Sequence, residues 1–139
     1  KRFLRINPNQ RGIVFCKTRM VTQEISERLT EDGFKAACIH GNMPQRDREK
    51  ILRMFKKETF DLVVGTDVLA RGIDISELDF VIHFQLPENE EYYAHRSGRT
   101  ARAGKSGLSL SFITKKEEFA FQTMLKNLKL QSKALDSIN

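Results

Sequence analysis

Phe60-Asp61-Leu62-Val63-Val64-Gly65-Thr66-Asp67 is the stretch from which the fold can be read. Its centre is apolar at every position, with no polar alternation, and it is too short for a helix. A strand without a polar face is buried on both sides, which is the habit of parallel sheets covered by helices. The run closes on Gly65 and turns polar at once. In open sheets of this kind ligands gather just past the carboxyl ends of strands. Thr66 and Asp67 occupy that place.

The same pattern recurs on either side. Gly12-Ile13-Val14-Phe15-Cys16 reads as a strand, as do Lys35 to His40, Phe80 to Leu86 and Leu108 to Ile113. Helical periodicity fills the gaps. Thr22 to Asp32 places Ile25 and Leu29 one turn apart, and Gly33 suits the left-handed residue that ends a helix. Asn42-Met43-Pro44-Gln45 reads as a helix start, with Asn42 as cap, Pro44 in the first turn and Gln45 reaching back. The helix beyond it carries Ile51, Leu52 and Phe55 on one face. Glu88 to Arg96 and Lys115 to Leu130 complete the set, the last with Phe119, Leu125 and Leu128 inward. Strands alternating with helices predict an α/β fold with a mostly parallel sheet.

The 139 residues suit one domain, 1–139, with about ten residues of lead-in and a helix and tail from about residue 115. The opening Lys1 to Ile6 has neither an initiator Met nor an apolar stretch, and reads as a lead-in cut from a larger protein. No apolar run approaches the ~20 residues of a membrane span, and none resembles a signal peptide. Cys16 and Cys38 sit in strand-like apolar surroundings without metal spacing, as reduced, buried thiols of a cytoplasmic protein do. A net charge of +6 and a pI near 9.5 favour an anionic partner such as nucleic acid or nucleotide.

Polar clusters follow several of the predicted strands: Lys17-Thr18-Arg19, His40-Gly41-Asn42, Thr66-Asp67 and Arg71-Gly72-Ile73-Asp74. Thr66 can donate its hydroxyl to a phosphate or sugar, and Asp74 can accept from ribose hydroxyls or simply cap a short helix. Gln45 and Arg48 fall in a first helical turn, where free backbone amides favour an anion. The densest cluster is His95-Arg96-Ser97-Gly98-Arg99-Thr100-Ala101-Arg102-Ala103-Gly104. Arg99 and Arg102 share a face of a helical turn, and two guanidinium forks converging on one point suit a phosphate. Gly98 to Ser106 nearly spells a phosphate-binding loop, but five residues separate its glycines where four are required. It also follows a helix and feeds a strand, the reverse of the order such a loop needs. His40, His83 and His95 have no ligand spacing and read as hydrogen-bonding residues.

Taken together, these motifs resemble the C-terminal RecA-like domain of DEAD-box RNA helicases, in superfamily 2, from about Arg11 to Lys115. Gly12 to Arg19 resembles motif IV, and His40-Gly41 with Gln45 and Arg48 resembles motif IVa. Asp61 to Asp74 is similar to motif V, Val81 to Pro87 to the strand that follows, and His95 to Arg102 to motif VI. The resemblance implies a RecA-like three-layer α/β/α fold. It implies that Arg99 and Arg102 are arginine fingers on the γ-phosphate of ATP, and that Gly72 and Asp74 belong to the same nucleotide site. Arg71, His95 and Arg96 would couple to the N-terminal RecA-like domain. Thr18, Arg19, Gly41, Gln45, Arg48, Thr66 and Asp67 would hold the RNA backbone without reading sequence. Magnesium would be held by the first domain.

Three positions depart from the family pattern. Gly65 stands where Ala is usual, a small change on sequence grounds; Gln85 replaces a common Asp, and Ala101 a common Gly. His95 favours the DEAD-box branch over relatives with Gln there. The sequence contains no phosphate-binding loop with its lysine, no Asp-Glu-Ala-Asp stretch and no adenine-reading glutamine upstream, so this chain by itself is expected not to hydrolyse ATP. A stand-alone nucleic-acid-binding module and half of a DNA helicase motor are the alternative readings. A complete hydrolase using Lys105 and Ser106 is a third. A monomer is the expected state.

Overall fold

The structure, a computed structural model, describes residues 1–6, 9–70, 78–87, 89–97 and 108–132. Among them five strands form one sheet: β1 (Gly12–Phe15), β2 (Ala36–Ile39), β3 (Leu62–Gly65), β4 (Phe80–His83) and β5 (Leu108–Ser111), in the order β2-β3-β1-β4-β5. Every pairing between them is parallel. The three central strands are buried at every position, as the unbroken apolar runs predict, whereas the edge strands β2 and β5 are half-exposed. Cys38 lies on the β2 edge and is half-buried rather than buried; both cysteines are free thiols.

The two faces of the sheet are covered separately. On one, Val14, Cys16, Val64, Phe80 and Ile82 pack with Leu4 of α1 (Arg2–Ile6) and Leu29 of α2 (Arg19–Glu31). On the other, Ile13, Phe15, Ile39, Val63 and Val81 pack with Phe55 of α3 (Gln45–Lys56) and Leu69 of a short 3-10 turn, Asp67–Ala70. A third cluster joins Tyr93 of α4 (Glu90–Ser97) to Phe121, Met124 and Leu125 of α5 (Glu118–Asn127). This is the three-layer α/β/α arrangement. The segment read as a lead-in is thus partly structural: α1 buries Leu4 against the sheet.

Several boundaries move, each for a local reason. Helix α2 begins three residues earlier than predicted, because Thr18 caps it: its Oγ1 accepts the Val21 amide at 3.2 Å. It ends as predicted, at Gly33 with φ +89°, where the amides of Gly33 and Phe34 return to Thr30 and Leu29 in a Schellman arrangement. The N-cap position of helix α3 is Pro44, not Asn42, with no side-chain cap bond, and Gln45 bonds forward to Glu49 at 3.2 Å instead of reaching back. Strand β4 stops at His83 because the amides of Phe84 and Gln85 both turn onto the Phe15 carbonyl. Asn89 caps α4 through the Tyr92 amide at 3.0 Å.

The last predicted helix is split. Thr114 and Glu117 form a capping box around a 3-10 turn, Lys115–Glu117, and α5 then runs only to Asn127. Phe119 is not inward but 85% exposed, while Phe121 is buried in its stead. Phe119 precedes Leu125 by six residues, about 240° around a helix, so the two cannot share a face.

Candidate functional site

Strand register brings the five carboxyl ends into line. Ile39, Gly65, Phe15, His83 and Ser111 are successive partners across the sheet and form one row. Immediately past that row stand His40 and Gly41, Thr66 and Asp67, Lys17 and Thr18, and Gln85. Residues up to 68 positions apart in sequence, Lys17 and Gln85, therefore share one edge, as the sequence predicts for Thr18, Arg19, Gly41, Thr66 and Asp67. Thr18, Arg19, Gly41 and Gln45 are exposed there, and Thr66, Asp67 and Arg48 are half-buried. The capping role of Thr18 uses its hydroxyl as an acceptor, which leaves the O–H free to donate. Arg48 keeps its Nε buried without a hydrogen-bond partner.

Behind this edge lies an ion pair. Arg96 reaches from α4 and is fully buried. Its Nε and Nη2 donate to the two carboxylate oxygens of Asp67 at 2.6 and 3.2 Å, and its Nη1 donates to the Gln85 carbonyl at 2.7 Å. The guanidinium carbon stands 5.1 Å from the Phe15 ring centre. One side chain thus ties α4 to the turns after β3 and β4 and to the end of β1. A buried arginine is tolerable only when its donors are met in this way. Gln85 contributes twice, since its side-chain Oε1 also accepts the Lys17 amide at 2.8 Å. Gln85 stands where the family commonly has Asp; its side chain serves here as an acceptor, which Gln and Asp both offer.

His83 anchors α4 from below. It is fully buried, stacks on Tyr93 at 4.5 Å and 15°, and meets Ser109 Oγ through Nε2 at 3.0 Å. Burial, and secondarily the Arg96 charge, push its pKa down to about 3, so the ring is neutral. His40 is also shifted downward, by burial and then by Arg19, and its Nε2 lies 3.3 Å from Gln23 Nε2. Both histidines are hydrogen-bonding residues, as expected from their spacing. Neither Tyr93 nor the aromatic row from Phe15 to Phe121 was singled out in the sequence.

Among the described residues no three carboxylate, imidazole or thiol groups gather in a way that would hold a metal ion. Helix α4 carries His95, whose side chain is outside the described residues. Arg71, Gly72, Asp74, Arg99 and Arg102 also lie outside them, as does the near-loop Gly98 to Ser106.

The amino-acid sequence matches the model of the helicase conserved C-terminal domain over residues 1–104. It is 44% identical over 124 residues to a probable ATP-dependent RNA helicase of Methanocaldococcus jannaschii, covering 89% of this chain and 34% of that protein. The chain belongs to the helicase C-terminal domain family, in its DEAD-box branch. The solved structure of a DEAD-box protein from the hyperthermophile Methanococcus jannaschii superposes with a TM-score of 0.89 at 42% identity, over 96% of this chain and 38% of that one. Saccharomyces cerevisiae Dbp5 bound to RNA and ADP-BeF3 superposes with a TM-score of 0.82 at 26% identity, over 90% of this chain and 34% of that one. This helicase domain spans about a third of the length of the M. jannaschii helicase it matches. Among the described residues no helix is long and apolar enough to cross a membrane.

Proposed function

We propose that this chain works as the second motor domain of an ATP-dependent RNA helicase, completing an ATP site that lies between it and an N-terminal RecA-like domain. The observation that carries the reading is the single row of strand ends with Thr18, Gly41, Thr66 and Asp67 directly beyond it. The exposed Thr18, Arg19 and Gly41, with the half-buried Thr66 beside them, put hydroxyls, an amide and a cation on one edge that suit a phosphate backbone, whose contacts carry no sequence information, while the Asp67 carboxylate is engaged by Arg96. Dbp5, a relative of the same fold, is solved with RNA and a nucleotide analogue, which supports the same pairing of ligands here.

In this reading Arg99 and Arg102 reach the γ-phosphate on closure and stabilise the charge that develops there. Gly72 and Asp74 hold the ribose side of the nucleotide. Gln45, Arg48, Thr66, Thr18 and Arg19 hold RNA phosphates, and bending of the bound strand disrupts the duplex. Arg71, His95 and Arg96 carry closure between the domains. Arg96 does so through placement, because Asp67 and Gln85 already engage its guanidinium. Magnesium is supplied with ATP by the first domain. The working protein is a cytoplasmic monomer.

ATPase assays of this chain, with and without RNA, test the reading. No turnover is expected alone, with activity appearing only when a first motor domain is supplied. Clear turnover by the chain alone overturns it. In a protein joining both domains, Arg102→Ala should lower turnover by roughly 10³-fold or more. A loss within about threefold removes the finger role. Stimulation by RNA but not by DNA of the same sequence separates the two half-motor readings.

A further inference from the structure

Helix α3 runs from the carboxyl edge of the sheet back to its amino edge, because it is the crossover between the parallel strands β2 and β3. Its inner face is set by Ile51, Leu52 and Phe55. At about 100° per residue, Arg46, Lys50, Arg53 and Lys57 fall within a wedge of about 60° on the opposite side. All four are exposed, and among the described residues none of them forms an ion pair. The nearest acid on the helical wheel, Glu49, is hydrogen-bonded by Gln45 at 3.2 Å. The stripe is about 17 Å long at 1.5 Å per residue.

Such a stripe works against the helix that bears it. Cations spaced by three and four residues repel one another. Lys57 and Arg53 gain something from the negative carboxyl end of the helix, but Arg46 sits in the first turn, the wrong end for a cation. The arrangement is relieved by an external polyanion. Its upper end begins beside Gln45 and Arg48, where the proposed RNA edge stops.

We propose that the outer face of α3 is an extension of the RNA track, on which single-stranded RNA leaving the strand-end site lays its phosphates along Arg46, Lys50, Arg53 and Lys57. The inference rests on the RNA-binding reading above and adds a second, length-dependent segment to it. The contacts are to phosphate, so they add affinity and salt dependence without base preference.

The test is fluorescence anisotropy of the full 139-residue chain with labelled oligouridylates of six and twenty nucleotides, over a salt series. Two variants are compared: Arg46→Gln/Lys50→Gln/Arg53→Gln/Lys57→Gln on the stripe, and Gln45→Ala/Thr66→Ala at the edge. Circular dichroism confirms that both are folded. The stripe variant should weaken twenty-nucleotide binding at least tenfold and leave six-nucleotide binding within about twofold. Its slope of log affinity against log salt should fall by roughly 2–3, since each single-strand phosphate contact contributes about 0.7. Equal loss at both lengths, no loss, or no binding of the longer RNA by the unaltered chain overturns the track. Competition by polyglutamate as effective as by RNA also overturns it, in favour of an acidic protein partner. Failure of the edge variant to weaken the short RNA counts against the strand-end site instead, so the two readings fail separately.

Discussion

Arg96 and Asp67 form a two-pronged ion pair, Nε to Oδ1 at 2.6 Å and Nη2 to Oδ2 at 3.2 Å, with the arginine fully buried and the carboxylate about a quarter exposed. The pair fixes α4 to the turn after β3, and so fixes the start of the arginine-rich segment relative to Thr66. Removing one partner leaves the other charge stranded. Asp67→Ala should therefore cost about 3–5 kcal/mol of stability, measured by urea unfolding. A cost below about 1 kcal/mol would show that water or another acceptor replaces the carboxylate.

Gly65 leaves room for Leu69. A β-carbon built at Gly65 would stand 2.0 Å from Leu69 Cδ1 and 3.1 Å from the Ile39 carbonyl, and Leu69 is fully buried. On sequence grounds the exchange of Ala for Gly looked small; the packing shows that the glycine and the leucine fit as a pair. Gly65→Ala should destabilise the chain by about 1–3 kcal/mol through overpacking. Adding Leu69→Ala should remove that clash, giving a double variant whose loss is smaller than the sum of the single ones. Strict additivity would refute the coupling.

His83 makes the fold sensitive to acid. Its pKa is about 3 in the native state because burial disfavours the charged ring, while an unfolded histidine titrates near 6.5. Between those values the unfolded state binds one more proton than the native one. Stability from this group is thus fully present above about pH 6.5 and is lost as pH falls toward 3, by on the order of 1 kcal/mol per unit. His83→Phe keeps an aromatic ring against Tyr93 and should flatten urea midpoints between pH 6.5 and 4. His40, shifted the same way, keeps part of the slope. An unchanged slope in the variant would assign the acid sensitivity elsewhere.

Two phenylalanines two residues apart should behave oppositely. Phe121 is 7% exposed and packs edge-on to Tyr93 at 6.0 Å, whereas Phe119 is 85% exposed. Phe121→Ala is expected to cost about 3–5 kcal/mol. Phe119→Ser should stay within about 0.5 kcal/mol, as surface changes do. Thermal unfolding of both variants settles the register of α5, because the predicted inward Phe119 requires the reverse order.

How far the site could be read from sequence depended on distance along the chain. Thr18, Gly41, Thr66 and Asp67 were placed together because each follows an apolar run, and parallel strands end on one side of a sheet. The cap at Thr18 was missed because the helical periodicity rests on Ile25 and Leu29, while capping depends on one local hydroxyl. The misplacement of Phe119 has a similar origin: a short helix preceded by a 3-10 turn gives too few turns for the period to fix the phase.

What the sequence alone determined was the alternation of buried strands and amphipathic helices, and with it a mostly parallel sheet, the placement of the polar clusters past the strand ends and the family of the chain. These follow from residue type and spacing, which act locally. Only the tertiary structure decided which polar groups face each other across the interior. Arg96 reads as one more cation in a basic stretch, yet it lies between Asp67, Gln85 and Phe15 because a buried guanidinium is stable only where acceptors from separate parts of the chain close around its donors. Gly65 and Leu69 share one space for a related reason: a close-packed core sets volume by contact, and contacts across a turn are not written in any single residue.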